Sequence, residues 1–315
     1  MRFGWDEIRF IESDMSNDTL LGSHPFGVEE VYRVKWSSSS PDLVAAGTSN
    51  SLQILRLDQQ YTPSLVTHFR LGSRVTHISW GPTVVSEDGK NVTLRIELLV
   101  ACADQKMRLL TYRTPTDSQP GGRKRRCFGQ GNSGHAGRIT SIAWCAVPGY
   151  ANVIGSAATD KCVLIWNLES SVEEEEEEKD QGWDSEEDTI NPPTPTLIGP
   201  FKSTPMSISF HPSTSSRLMV YDANGSIKLI DWTKPGRPIV MCLIEPRTLV
   251  NQLNCLRPVG GDGMGMADWK ADEADVFGAL NGNRWAVWDM RSTRAGTPLA
   301  TGEVWGGSVS ADVLR

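Results

Sequence analysis

Short apolar runs with a two-residue period, broken by Gly, Asn and Asp, fill most of the chain, and no stretch sustains a helical period. One unit recurs. An alternating strand ends in an aromatic residue. A strand of small apolar residues follows. A tight turn of Asp, Asn or Gly then leads into another alternating strand that closes on Trp-Asp or a relative. The clearest copy runs from Gly134 to Glu169. There Gly134-His135 precedes Ile139 to Trp144, Val153 to Ala158 leads to Thr159-Asp160, and Cys162 to Asn167 closes the unit. Weaker copies start at Val31, Val75 and Met206, and a fifth closes with Val276 to Leu280, Asn281-Gly282 and Trp285 to Asp289.

This pattern predicts an all-β chain. His135 and Trp166 stand about 30 residues apart, as in a four-stranded propeller blade of ~40–45 residues of the WD-repeat type. The expected architecture is a single WD-repeat β-propeller domain over 1–315, with blades near 28–57, 72–113, 134–169, 201–233 and 249–291 and the start of a further blade at 301–315. Five blades are legible in the sequence, which reads as an incomplete seven-bladed ring. Two stretches interrupt the repeat. Residues 114–133 carry Arg123-Lys-Arg-Arg126 between glycines and read as a basic loop, or as a nuclear-targeting or phosphate-contacting patch. Residues 170–195 hold six consecutive glutamates, Glu173 to Glu178, and read as a disordered acidic insert ending at a candidate phosphorylation site, Thr194-Pro195.

The third copy holds the parts of a structural hydrogen-bond relay: His135, Ser156, Asp160 and Trp166. Burying an unpaired indole N–H or imidazole costs ~1–3 kcal/mol, so a relay that satisfies all four groups has a physical purpose. The competing reading is a hydrolase triad. Ser156 lacks a nucleophile-elbow context, and the structural reading accounts for every member.

Composition narrows the function. The net charge of −7 argues against a general nucleic-acid binder. No apolar run approaches the ~20 residues that span a bilayer, and no secretory h-region is visible at the start of the chain. The six cysteines form no CxxC pair and have no His at zinc-finger spacing, which fits a reducing compartment and gives no metal site. Nothing calls for a cofactor, and no carboxylate pair, phosphate loop or metal cluster suggests an enzyme. The 11 tryptophans outnumber Tyr and Phe individually, as in a fold that uses Trp at a repeated position.

Several strings go beyond generic repeat consensus. They are Gly72 to Trp80 with Ala103 to Leu109, Gly134-His135 through Leu168, Pro205 to Pro212 with Leu218 to Val220 and Asn224 to Ile227, and Gly278 to Trp285 with Val287 to Asp289. In these the chain resembles the 37-kilodalton WD-repeat nucleoporin family of the Y-shaped nuclear pore scaffold complex, in a fungal-type form. The acidic insert and the missing C-terminal blades depart from that family. The resemblance implies a structural nucleoporin at the nuclear envelope supporting protein and mRNA transport. Its implied partners are the large propeller-plus-helical nucleoporin of the Y-complex short arm and other Y-complex members, with no direct nucleic-acid contact and no membrane insertion. The alternative is a substrate receptor of a cullin-type ubiquitin ligase, because Trp288, Asp289 and Arg291 fit the W-D-x-R string of such receptors. A methyl-lysine reader would need an aromatic cage.

Overall fold

A computed structural model describes residues 2–3, 7–13, 18–25, 29–88, 91–115, 121–128, 134–168, 194–244, 265–270, 272–282, 284–291 and 297–303. The chain divides into two compact units. In the first, β1 (Arg2–Phe3), β2 (Glu7–Ser13) and β3 (Asp18–Pro25) form a three-stranded sheet. Two four-stranded blades follow. One is β4 (Val31–Trp36), β5 (Leu43–Thr48), β6 (Ser51–Leu57) and β7 (Pro63–Arg70). The next is β8 (Val75–Asp88), β9 (Asn91–Cys102), β10 (Met107–Arg113) and β11 (Gly122–Phe128). The second unit holds three more. They are β12 (Ile139–Trp144), β13 (Val153–Ala158), β14 (Val163–Asn167) and β15 (Thr196–Ile198); β16 (Pro205–Phe210), β17 (Arg217–Asp222), β18 (Ile227–Asp231) and β19 (Ile239–Ile244); and β20 (Gly265–Trp269), β21 (Val276–Asn281), β22 (Arg284–Asp289) and β23 (Ala300–Glu303). Every blade is an antiparallel meander with its strands paired in chain order. The fold is an all-β propeller with five blades among the described residues.

The second strand of a blade is buried on both faces. All six residues of β5, β13 and β21 are buried. Small residues make this possible, because the neighbouring blade's first strand must come close. A Cβ on Gly47 would run into the Val75 side chain of β8, and one on Gly155 would crowd Ile208 and Phe210 of β16. Apolar clusters join neighbouring blades. In the first unit Leu43, Leu52 and Ile54 pack with Ile78, Trp80 and Leu98. In the second unit Val153, Val163 and Ile165 pack with Phe210 and Leu218, and Met219, Tyr221 and Leu229 pack with Trp269 and Phe277.

Polar groups join neighbouring first strands within each unit. Four of the five first strands shift register at their second residue, between Val31 and Arg33, Val75 and His77, Ile139 and Ser141, and Pro205 and Ser207. A β-bulge of this kind re-aims side chains. The Ser141 hydroxyl accepts the Ile208 N–H (3.1 Å) and the Ser207 hydroxyl accepts the Ala267 N–H (2.9 Å). The Thr140 hydroxyl donates to the Pro205 carbonyl (2.6 Å), and Arg33 Nε donates to the Thr76 carbonyl (2.5 Å). Two tryptophans repeat one further link. Trp80 Nε1 donates to the Lys35 carbonyl (3.0 Å) and Trp269 Nε1 to the Ser209 carbonyl (3.3 Å), in each case the penultimate residue of the preceding first strand.

The structure corrects several sequence expectations. Residues 122–128, expected within a basic loop, form β11, paired along its whole length with β10. Arg123 and Arg125 donate to the His68 and Arg70 carbonyls of β7 (3.0 and 2.9 Å), so alternate members of the basic run cap a strand edge. Residues 300–303, expected to begin a further blade, form the outer strand of the fifth, paired with β22. That blade begins at Gly265, with Trp269 closing its first strand. The blades expected at 28–57, 72–113, 134–169 and 201–233 each extend by an outer strand, to Arg70, Phe128, Ile198 and Ile244. The hairpin of β8 and β9 is also longer than the apolar pattern indicates. Residues 170–193 of the acidic insert lie outside the described residues, and strand β15 begins at Thr196, directly after the insert's expected end at Pro195.

The turns between second and third strands share a three-residue form in blades two, three and four. Pairing closes at Cys102 with Lys106, Ala158 with Cys162, and Asp222 with Ser226. The last loop residue is left-handed each time: Gln105 (φ 64°), Lys161 (φ 67°) and Gly225 (φ 81°). This is the type I turn plus left-handed residue of three-residue hairpins. A non-glycine residue there costs about 1–2 kcal/mol, and glycine gives back about 0.5–1 through its freer unfolded chain. Lys161→Gly is therefore expected to stabilise the protein by up to about 1 kcal/mol. A urea midpoint that falls or stays fixed would contradict the turn assignment.

Candidate functional site

The four predicted relay residues meet in the third blade. His135 sits just before β12, Ser156 lies in β13, Asp160 in the turn and Trp166 in β14. His135 Nδ1 lies 2.9 Å from Asp160 Oδ2, and Nε2 lies 2.9 Å from Ser156 Oγ. Trp166 Nε1 donates to the same Ser156 oxygen (3.0 Å). The directions are consistent with one tautomer. The His135 Nδ1–H donates to the carboxylate, the Ser156 hydroxyl donates to Nε2, and the indole donates to Oγ. Asp160 also accepts the Ala136 and Cys162 backbone N–H groups (3.0 Å each). Ser156 and Trp166 are fully buried and the His135 side chain is 2% exposed. A nucleophile so enclosed, its oxygen already an indole acceptor, has no room for a substrate carbonyl.

Other blades close the equivalent turn by different means, which the sequence did not reveal. In the first blade the Thr48 and Ser51 hydroxyls both donate to Glu29 Oε2, the latter at 2.7 Å. In the second, Arg108 grips Asp104 with two bonds (3.1 and 2.6 Å) and is itself 6% exposed. Burial works against ionisation of Asp104, but this guanidinium and the Lys106 N–H outweigh it and hold the carboxyl below its ordinary range. In the fourth, Asp222 accepts the Asn224 and Ser226 N–H groups (3.0 and 3.1 Å) and the Lys228 ammonium (2.5 Å). The Asp-x-x-x-Arg spacing of 104 and 108 was the available signal for the second blade.

The fifth blade adds a run of aromatic contacts. Trp288 pairs with Phe277 as Trp166 pairs with Ile154, and Ala279 stands where the third blade has Ser156. Trp288 stacks on Phe277 (centroids 5.4 Å), which meets Trp269 edge-on (5.8 Å), which in turn lies against His211 (4.6 Å). His211 Nδ1 accepts the Ser213 and Thr214 N–H groups (3.2 and 3.1 Å), and burial pushes its pKa below the ordinary imidazole value of 6.5. Of the alternative motif, Trp288 is 3% exposed. Asp289 accepts from Arg291 Nε and Nη2 (2.9 and 2.8 Å), and Arg291 lies 3.6 Å from Asp275 as well. The Arg291 guanidinium is solvent-facing but held between two carboxylates. Among the described residues, no group of three or more His, Cys, Asp or Glu could hold a metal ion.

No protein-family model matches the chain. It is similar to nucleoporin Nup37 of Mus musculus, 24% identical over 273 residues that make up 84% of this chain and 67% of that protein. It is also similar to an uncharacterized WD repeat-containing protein of Schizosaccharomyces pombe, 26% identical over 227 residues, 64% of this chain and 51% of that protein. The chain thus spans about half the length of the fission-yeast relative. Among solved structures it is similar to Sqt1 of Chaetomium thermophilum. Alone, Sqt1 matches with TM-score 0.57, over 95% of this chain and 68% of Sqt1. Bound to the N-terminus of a ribosomal protein, it matches with TM-score 0.55, over 95% and 70%. Identity is 14% in both, so these structures bear on the fold alone. The fold is that of a WD-repeat β-propeller.

Two measurements test the blade anchors. Trp166→Ala is expected to cost about 3–5 kcal/mol, and a loss under about 1 kcal/mol would refute the buried role of the indole. The depressed His211 pKa means that the unfolded chain binds this proton first. Its stabilising contribution is complete above pH 6.5 and is lost as pH falls from 6.5 through the lower folded-state value. His211→Asn keeps an acceptor for the Ser213 and Thr214 N–H groups and removes the proton. The variant's urea midpoint is expected to change less than wild type's between neutral and mildly acidic pH, and parallel curves would exclude His211 as the source.

Proposed function

We propose that this chain is a non-catalytic, protein-binding propeller of the nuclear pore scaffold. The observation that carries the reading is the similarity to nucleoporin Nup37 along 84% of the chain. The strings at Gly72 to Trp80, Pro205 to Pro212 and Gly278 to Asp289 support it, because they resemble that nucleoporin family beyond the repeat consensus. The physical logic agrees. The third blade's His, Ser and Asp are spent on holding strands together, and binding falls to exposed loops and outer strands on a rigid support. On this reading the partners are the large propeller-plus-helical nucleoporin of the Y-complex short arm and its neighbours, and the protein resides at the nuclear envelope.

A ligase substrate receptor is the second reading, favoured by Trp288, Asp289 and the exposed Arg291. Against it stands the pairing of Arg291 with Asp289 and Asp275. A tagged protein is expected to give a punctate nuclear-rim signal and to co-purify with scaffold nucleoporins from a nuclear envelope fraction. Arg291→Ala is expected to leave that co-purification unchanged. A diffuse nucleoplasmic signal, with a ligase adaptor recovered from wild type and lost from Arg291→Ala, would replace the first reading by the second.

A further inference from the structure

Within the first compact unit, Tyr32 and Arg33 of β4 meet Arg74 and Thr76, which flank Val75 at the start of β8. Two contacts fix them. The Arg74 guanidinium sits over the Tyr32 ring, 5.0 Å from its centroid, and Arg33 Nε donates to the Thr76 carbonyl (2.5 Å). Tyr32 and Thr76 are the residues at which their strands shift register, so both contacts fall at bulges. Both arginines are exposed. Arg33 spends only Nε on the strand, which leaves its two Nη groups for another acceptor.

Among the described residues, neither guanidinium has a carboxylate within ion-pair distance. Acids are close in sequence but committed to hydroxyls. Glu30 accepts the Tyr32 hydroxyl (2.6 Å), and Glu29 accepts those of Thr48 and Ser51. Other arginines of the same unit are paired, Arg56 with Asp42, Arg95 with Glu97 and Arg108 with Asp104. Partial desolvation and, next, the charge of Arg74 push the Arg33 pKa below its ordinary value. The fold thus sets two like charges side by side, each held by its own contact, and leaves their repulsion uncompensated. An anion placed between them offsets that cost. A guanidinium matches a carboxylate with two parallel bonds. Nucleic acid fits less well, because it needs a basic face that follows many phosphates and the chain carries −7.

We propose that Arg33 and Arg74 bind neighbouring carboxylates of an acidic segment of a partner protein. Tyr32 serves the site twice. Its ring holds the Arg74 guanidinium, and its hydroxyl occupies a Glu30 oxygen that could otherwise neutralise it. The net charge of −7 repels acidic chains in general, so a segment of this kind is held only where cations are locally concentrated and unpaired. This surface is independent of the pore assignment and stands or falls separately from it.

The test is fluorescence anisotropy of a short labelled peptide alternating glutamate and glycine, titrated with the whole protein. Saturable binding that weakens with added salt is expected. Arg74→Gln, at an exposed position, is expected to weaken it about tenfold, as the loss of a charge-assisted pair of bonds would. Arg33→Lys keeps the charge but not the planar fork, and is expected to weaken binding by about threefold or more. A thermal melt of each variant establishes folding. Arg237→Gln removes an exposed cation of the second unit and is expected to leave binding unchanged. Unchanged binding in either folded Arg33→Lys or Arg74→Gln protein would overturn the proposal, and so would an equal loss in Arg237→Gln, which marks diffuse attraction. Absence of binding to wild type at low salt would also overturn it. An oligothymidylate that binds more tightly than the peptide, with the same dependence on Arg74, would replace the acidic segment by nucleic acid.

Discussion

A strand buried on both faces sets the terms for everything else in this molecule. In β5, β13 and β21 all six residues are buried, although an isolated four-stranded sheet would leave a face in water. Each such blade needs a neighbour against it, and its stability becomes a matter of nearest-neighbour contact, as in other repeat architectures. Gly47 and Gly155 carry no side chain where the next first strand comes closest. The bulged first strands use the same closeness for polar links. Ser141, Ser207, Trp80 and Trp269 bond across to adjacent blades, and an indole or hydroxyl left unpaired there would cost about 1–3 kcal/mol.

Packing fixes the need for a closed turn between the second and third strands, but not the chemistry that closes it. A glutamate with two hydroxyls, an Asp–Arg pair, a four-residue relay and an Asp–Lys pair serve in successive blades. In the fifth, the equivalent indole of Trp288 stacks on Phe277. This variety bears on function. A histidine, serine and aspartate in mutual contact suggest catalysis until the other blades are seen to meet the same local demand with groups that have no catalytic precedent.

The parts legible from sequence were those under the tightest constraint. The second and third strands, their turn residues and the relay of His135, Ser156, Asp160 and Trp166 could be placed because two-sided burial and a three-residue turn restrict composition sharply. Outer strands escape that restriction. β19 exposes Ile239, Val240 and Met241, and β23 is Ala-Thr-Gly-Glu with its first two residues exposed. β7 alternates only weakly. A strand paired along one edge and half in water carries little pattern, so the outer strands at 63–70, 122–128, 196–198, 239–244 and 300–303 were not foreseen. Nor were the sheet of β1 to β3 and the polar extension of the β8–β9 hairpin.

The run Arg123-Lys-Arg-Arg126 shows how a charge pattern changes meaning once its backbone is known. In a loop, four adjacent cations point outward together and make a patch for an acidic partner. In a strand they divide at period two, because successive side chains leave opposite faces. Arg123 and Arg125 fall on the same face as the buried Leu110 and reach the carbonyls of β7, an outer strand that would otherwise present unpaired acceptors to any passing chain. Covering an outer edge with cations is a known defence against edge-to-edge association. Half of the apparent ligand-binding charge is thereby committed to keeping the first two blades in contact.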